Sequence, residues 1–224
     1  MPYFLKTYNK TFVYHLCPKN GCTSIANMLI QADGNIELLK EDHKDFYKTH
    51  TLAKPSNDNE HFDWPKVPDV VGWTYHNAEI KLAIKRDPVD RFISGYKNRV
   101  LYHKDISKTY HWLLKQFKNK TKHLPEVPSL DTFIKNFDTY WTNPWIESHF
   151  KSQTKFLGKK DYYTHVFDIT ELNKVKELLE EITNIKITVP HLQAGGNDIE
   201  VPITDENIKW IKKKYAIDYE NGWC

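Results

Sequence analysis

TFVYHLCPKNGCTSIANMLIQA, residues Thr11 to Ala32, decides how this chain is read. Thr11 to Cys17 is β-branched and aromatic, which suits a buried strand, and Pro18 ends it because proline cannot extend a ladder. Beyond Gly21 the apolar residues fall at Ile25, Met28, Leu29 and Ala32, the spacing of one helix face. The unit is therefore strand, tight loop, helix. In that geometry the amides of Asn20 to Ser24 sit at a helix N-terminus, where unsatisfied N–H groups and the helix dipole favour an anion. Lys19 and the hydroxyls of Thr23 and Ser24 sharpen that preference for phosphate or sulfate.

A second corner of the same kind lies further along the chain. Ile80 to Ile84 has the apolar run of a buried strand, and Lys85-Arg86-Asp87-Pro88 closes it. Asp87 suits an N-cap and Pro88 a first helical turn. Val89, Phe92, Ile93, Tyr96 and Val100 then mark an apolar helix face. Asp90, Arg91, Ser94, Lys97 and Asn98 fall outside it, and Arg91 is open between a ligand contact and a helix-face ion pair. In open parallel sheets such strand-to-helix corners line the ligand crevice.

Composition narrows the class. The chain has 224 residues, enough for one sizeable core, and nothing in it calls for two domains. With 32 basic and 29 acidic residues the net charge is only +3, which argues against a dedicated nucleic-acid binder and makes any electropositive site local. Three cysteines, Cys17, Cys22 and Cys224, are too few for a disulfide framework or a zinc site, so a reducing compartment is expected. The opening MPYFLKTYNK lacks the apolar run of a signal peptide or anchor, and no later stretch approaches a membrane span. A soluble, cytoplasmic chain is the expectation.

Elsewhere the signals are uneven. A short helix is expected around Ile36 to Lys40, a strand at Tyr47 to Thr51, and a surface loop from Ala53 to Val70, which holds Pro55, Pro65 and Pro68. Leu101 to Lys122 is basic and aromatic; charge runs are ordinarily solvated, and an acceptor-binding role stands second. Leu130 to Phe137 reads as a helix capped by Ser129 or Asp131, and Tyr162 to Phe167 as a strand. Thr170 is expected to cap a helix carrying Leu172, Val175, Leu178, Leu179 and Ile182. A last helix starting near Thr204 or Asp205 places Ile208, Ile211 and Tyr215 on its core face.

A nucleotide-kinase loop requires G-x-x-x-x-G-K-[ST]. Here Cys22 stands before Thr23 where that lysine belongs, and the loop's lysine is upstream at Lys19. Pro18-Lys19-Asn20-Gly21-Cys22-Thr23-Ser24 instead resembles the 5′-phosphosulfate loop of sulfotransferases that use 3′-phosphoadenosine 5′-phosphosulfate (PAPS). Lys85 to Tyr96 resembles their 3′-phosphate motif, in which an arginine at the strand end and a serine eight positions on hold the phosphate; Arg86 and Ser94 match that spacing. His149 with Gln153 is similar to the H-W-x-P-Q segment of carbohydrate sulfotransferases, with Phe150 and Ser152 departing from it. Tyr215, Asp218 and Tyr219 are similar to their closing Y-x-x-D-Y/F pattern.

The resemblance implies a single domain over residues 1–224, a three-layer α/β/α fold with a short, mainly parallel, P-loop-like sheet, and PAPS as co-substrate. It implies that Lys19, Asn20, Gly21, Cys22, Thr23 and Ser24 bind the 5′ end and Arg86 and Ser94 the 3′-phosphate. Lys19 is the cation expected to meet charge on the departing phosphate. The general base is open among His50, in a K-T-H stretch like that of cytosolic sulfotransferases, His76 and His61, with Glu60 as a carboxylate choice. The implied acceptor is a hydroxyl compound, by likeness to the carbohydrate branch a saccharide or glycolipid, and no metal is implied. A non-catalytic phospho-ligand module and a P-loop small-molecule kinase remain the rival classes.

Overall fold

The computed structural model describes residues 2–7, 10–32, 78–107, 124–190, 195–196 and 198–224. The expected helix at Ile36 to Lys40, strand at Tyr47 to Thr51 and loop at Ala53 to Val70 lie outside the described residues, as do His50, Glu60, His61 and His76. The fold is α/β with a short, mainly parallel sheet. Residues cluster into two compact units, Met1–Lys85 with Phe156–Leu192 and Arg86–Lys155 with Gln193–Cys224.

The first unit holds the sheet, in the order β1-β2-β3-β4. Strands β1 (Pro2–Thr7) and β2 (Lys10–His15) pair antiparallel, while β3 (Ile80–Lys85) lies parallel to β2, and β4 (His165–Asp168) parallel to β3. Side chains alternate across a pleated strand, so Phe12 and Tyr14 of β2 and Ile80, Leu82 and Ile84 of β3 share one face. Onto it pack Ile25, Met28, Leu29 and Ala32 of helix α1 (Cys22–Ala32). Val175 and Leu179, from a helix over Leu172–Thr183, complete that core. Leu82 is fully buried there, so Leu82→Ala would cost about 2–5 kcal/mol.

The second unit is helical and built on aromatic contacts. Helix α2 (Pro88–Gly95) runs into a π-helical segment, Tyr96–Tyr102, so the apolar face read as one helix is two kinds of helix in series. Phe92 lies 5.0 Å from Phe150, 5.8 Å from Phe137 and 6.0 Å from Phe133, centroid to centroid, in the tilted and edge-on geometries that aromatic pairs prefer. Gly95 makes room for this cluster: a Cβ there would stand 3.2 Å from Phe150 Cζ.

Several boundaries differ from expectation, each for a local reason. The strand expected over Thr11 to Cys17, β2, ends at His15, and Leu16 and Cys17 already belong to the loop. Helix α3 (Leu130–Lys135) is capped by the Ser129 hydroxyl, and Phe137 begins a separate short helix, α4 (Phe137–Tyr140). The stretch read as a strand from Tyr162 begins as a 3-10 turn, with strand only from His165. Asp168, not Thr170, caps the helical turn after β4: its carboxylate accepts from Thr170 N at 3.0 Å while Glu171 accepts from Asp168 N at 2.9 Å, a reciprocal cap.

Candidate active site

The first corner is built by the turn between β2 and α1. Lys19 and Gly21 both take positive φ, 71° in each case. For Gly21 that conformation is natural; for Lys19 it carries a cost of roughly 1–2 kcal/mol. Left-handed residues inside a turn are the backbone signature of a concavity of N–H groups that cradles anions. The turn closes on itself through Asn20 N to Cys17 O at 3.2 Å and hands over to the helix through Ile25 N to Gly21 O at 3.0 Å. The first turn of α1 holds no acidic residue that would neutralise the dipole's positive end.

Each loop residue has a distinct place. Asn20 is fully buried, and its Nδ2 donates to Ile84 O of β3 at 2.6 Å. Cys22 points its thiol inward, and burial pushes that thiol's pKa up against the opposing pull of Lys19 and Thr23. What Cys22 offers a ligand is therefore its main chain. Lys19, Thr23 and Ser24 are half-buried. Just upstream, His15 is buried, and Tyr163 Oη lies 2.9 Å from its Nδ1 while donating to Leu157 O at 2.8 Å. The tyrosine's one proton is thus committed to Leu157, so His15 Nδ1 carries a hydrogen and donates. Burial lowers the His15 pKa to about 4, and it stays neutral.

The second corner belongs to the other compact unit. Asp87 accepts from Val89 N at 2.8 Å and Asp90 N at 3.1 Å, the cap expected of it, and Pro88 stands in the first turn. Seven residues are close to two full helical turns, so Ser94 lies on the same side of α2 as Asp87, about 10 Å along the axis. Arg86 and Ser94 are both half-buried. Arg91 lies in the interior, 2% exposed, and donates to Lys151 O at 2.7 Å and His149 O at 3.3 Å. Asn98 is buried too, donating to Gly195 O at 2.9 Å.

The two patterns matched by likeness now acquire physical roles. Helix α5 (Pro144–Phe150) ends in the His149 segment, whose carbonyls are taken up in turn by Arg91 and, at Phe150, by Tyr215 Oη at 2.6 Å. Gln153 opens helix α6 (Gln153–Leu157), and Asp218 caps that helix by accepting from Gln153 N and Thr154 N at 2.8 Å each. Tyr219 reaches Asp87 at 3.5 Å, and burial together with that carboxylate pushes its pKa up to about 12. The closing Y-x-x-D-Y pattern therefore braces the main chain around the second corner. Among the described residues no three His, Cys, Asp or Glu side chains gather as metal ligands, and no helix is long and apolar enough to cross a membrane.

A sulfotransferase family model matches residues 3–220, so nearly the whole chain lies within it. The protein belongs to the sulfotransferase family and is a sulfotransferase enzyme. No curated protein and no solved structure matches the chain.

Proposed function

We propose that this enzyme transfers a sulfuryl group from PAPS to a hydroxyl of a saccharide or glycolipid, with residues 1–224 working as one sulfotransferase domain in the cytoplasm. The observation that carries the reading is the Pro18–Ser24 turn, with Lys19 and Gly21 left-handed at the mouth of α1, in a chain matched to the family over nearly all its length. The donor supplies the sulfuryl group. Lys19, with the amides of Asn20 to Ser24 and the hydroxyls of Thr23 and Ser24, holds the 5′ end. Arg86 and Ser94 take the 3′-phosphate, the arginine through its planar fork.

Sulfuryl transfer resembles phosphoryl transfer in asking the protein mainly for alignment and charge stabilisation. The acceptor oxygen bonds to sulfur as the bond from sulfur to the 5′-phosphate oxygen breaks. Lys19 offers its ammonium to that departing oxygen, where negative charge grows. The acceptor's proton passes to a general base, for which His50 is the first choice and His76 the second. No metal ion has a part in this scheme, because the donor lacks a triphosphate. Support for a sugar acceptor comes from Tyr102 and Trp145, large aromatic side chains that are 56% and 46% exposed although Arg99 lies over one face of Trp145 and Gly195 packs against Tyr102.

Incubation with radiolabelled PAPS and a panel of saccharide, glycolipid and phenolic acceptors tests this. Label should enter a sugar hydroxyl, survive addition of a chelator and vanish in Lys19→Ala. Transfer only to phenols would refute the acceptor class, and transfer to none would refute the reaction.

A further inference from the structure

We propose that Gln153 is the positioning residue of the 3′-phosphate corner, setting the main chain of Arg86 so that its guanidinium meets the phosphate. The inference rests on the reading that Arg86 binds that phosphate. Gln153 is fully buried, and its side-chain amide is used at both ends: Oε1 accepts from Arg86 N at 3.1 Å, and Nε2 donates to Arg86 O at 2.8 Å and to Trp223 O at 2.7 Å. Its own main chain is fixed by Asp218, which accepts from Gln153 N at 2.8 Å.

The chemistry explains why a glutamine is needed. Arg86 follows the last residue of β3 and precedes the cap of α2, so it stands where the strand has ended and the helix has not begun. Its main-chain N–H and C=O, turned onto the fully buried Gln153 amide, must be satisfied there as anywhere else. A primary amide presents one acceptor and two donors in a plane, the complement of one peptide N–H and two carbonyls. Glutamate at the same size would turn an oxygen toward two carbonyl oxygens. Alanine would remove the grip altogether. A bidentate arginine contact tolerates little misplacement, about 0.5 Å or 10–20°. Loss of the grip therefore shows in the 3′-phosphate contact before anything else.

Calorimetry on the full chain with 3′,5′-ADP and 5′-AMP reads this as the dissociation constant of 5′-AMP divided by that of 3′,5′-ADP, the increment due to the 3′-phosphate. For Gln153→Glu and Gln153→Ala that ratio should fall at least tenfold while 5′-AMP affinity stays within threefold. Tyr140→Phe, which removes a buried hydroxyl bonded to Pro125 O in the same unit, is the control for simple loss of stability and should keep the wild-type ratio. Should Gln153→Ala not fold, the near-isosteric Gln153→Glu decides alone. A wild-type ratio well above one that persists in the Gln153 variants overturns the inference, as does an equal loss of both affinities. A wild-type ratio near one overturns the Arg86 reading and this inference with it.

Discussion

Asn20 and Ile84 are joined by a 2.6 Å hydrogen bond, from the side-chain Nδ2 of the loop residue to the carbonyl of β3. The bond lies wholly inside the protein and ties the turn after β2 to the strand that ends in Lys85, one residue before Arg86. Removing it strands a buried carbonyl, at a cost of about 1–3 kcal/mol. Asn20→Ala should lower the unfolding free energy by that amount, shifting the denaturation midpoint down, and reduce 3′,5′-ADP affinity at least tenfold. Asn20→Asp should be worse, because a carboxylate oxygen then faces the carbonyl. Equilibrium denaturation with and without nucleotide measures both.

Lys19 separates stability from function. Its positive φ costs the fold roughly 1–2 kcal/mol, a penalty that glycine would not meet, offset in part by glycine's greater chain entropy. Lys19→Gly should therefore melt at the wild-type temperature or slightly above it and yet have lost nearly all sulfate transfer. Lys19→Arg, which keeps the charge and the backbone strain, should retain measurable transfer. A Lys19→Gly variant that stays active would remove Lys19 from the chemistry.

Loss of the Arg86 guanidinium should cause a selective defect. A charge-assisted bidentate contact is worth about 1.5–3 kcal/mol, and each 1.4 kcal/mol is tenfold in affinity. Arg86→Ala should weaken 3′,5′-ADP by about 10- to 100-fold and leave 5′-AMP nearly unchanged. Ser94→Ala should act in the same direction and more weakly. Titration calorimetry with the two nucleotides distinguishes this from a general loss of the site.

His15 gives stability a pH dependence. Its pKa falls from 6.5 to about 4 on folding because burial disfavours the imidazolium, so between those values the unfolded chain binds more protons. Stability from this group is full above pH 6.5 and is lost as pH drops toward 4, by roughly 3 kcal/mol, since one pKa unit is 1.36 kcal/mol. His15→Phe should flatten the denaturation midpoint across that window. An unchanged slope in the variant would show that other groups govern it.

Much of this was legible because local chemistry coincided with final structure. The Asp87 cap, the Pro88 turn and the Ile25, Met28, Leu29, Ala32 face each depend on neighbours a few residues away, and each stands where its pattern puts it. What stayed hidden depended on distant partners. Pro2 to Thr7, read in the sequence only as too short an apolar run for a leader, forms a strand through its antiparallel pairing with β2. Arg91 reads as a surface charge because periodicity ranks it as polar, while its carbonyl partners at His149 and Lys151 lie about 60 residues on. Gln153 carries no sequence signal for a grip on Arg86, which exists only once both chain segments are folded.

The most direct test of the donor assignment needs no knowledge of the acceptor. Thermal unfolding is followed with 3′,5′-ADP and, separately, with magnesium and ATP at equal concentrations. A ligand bound only by the folded state raises the melting temperature as its concentration exceeds its dissociation constant. 3′,5′-ADP should raise the melting temperature, an effect lost in Arg86→Ala, and Mg-ATP should raise it little or not at all. A larger rise with Mg-ATP than with 3′,5′-ADP would contradict the donor assignment.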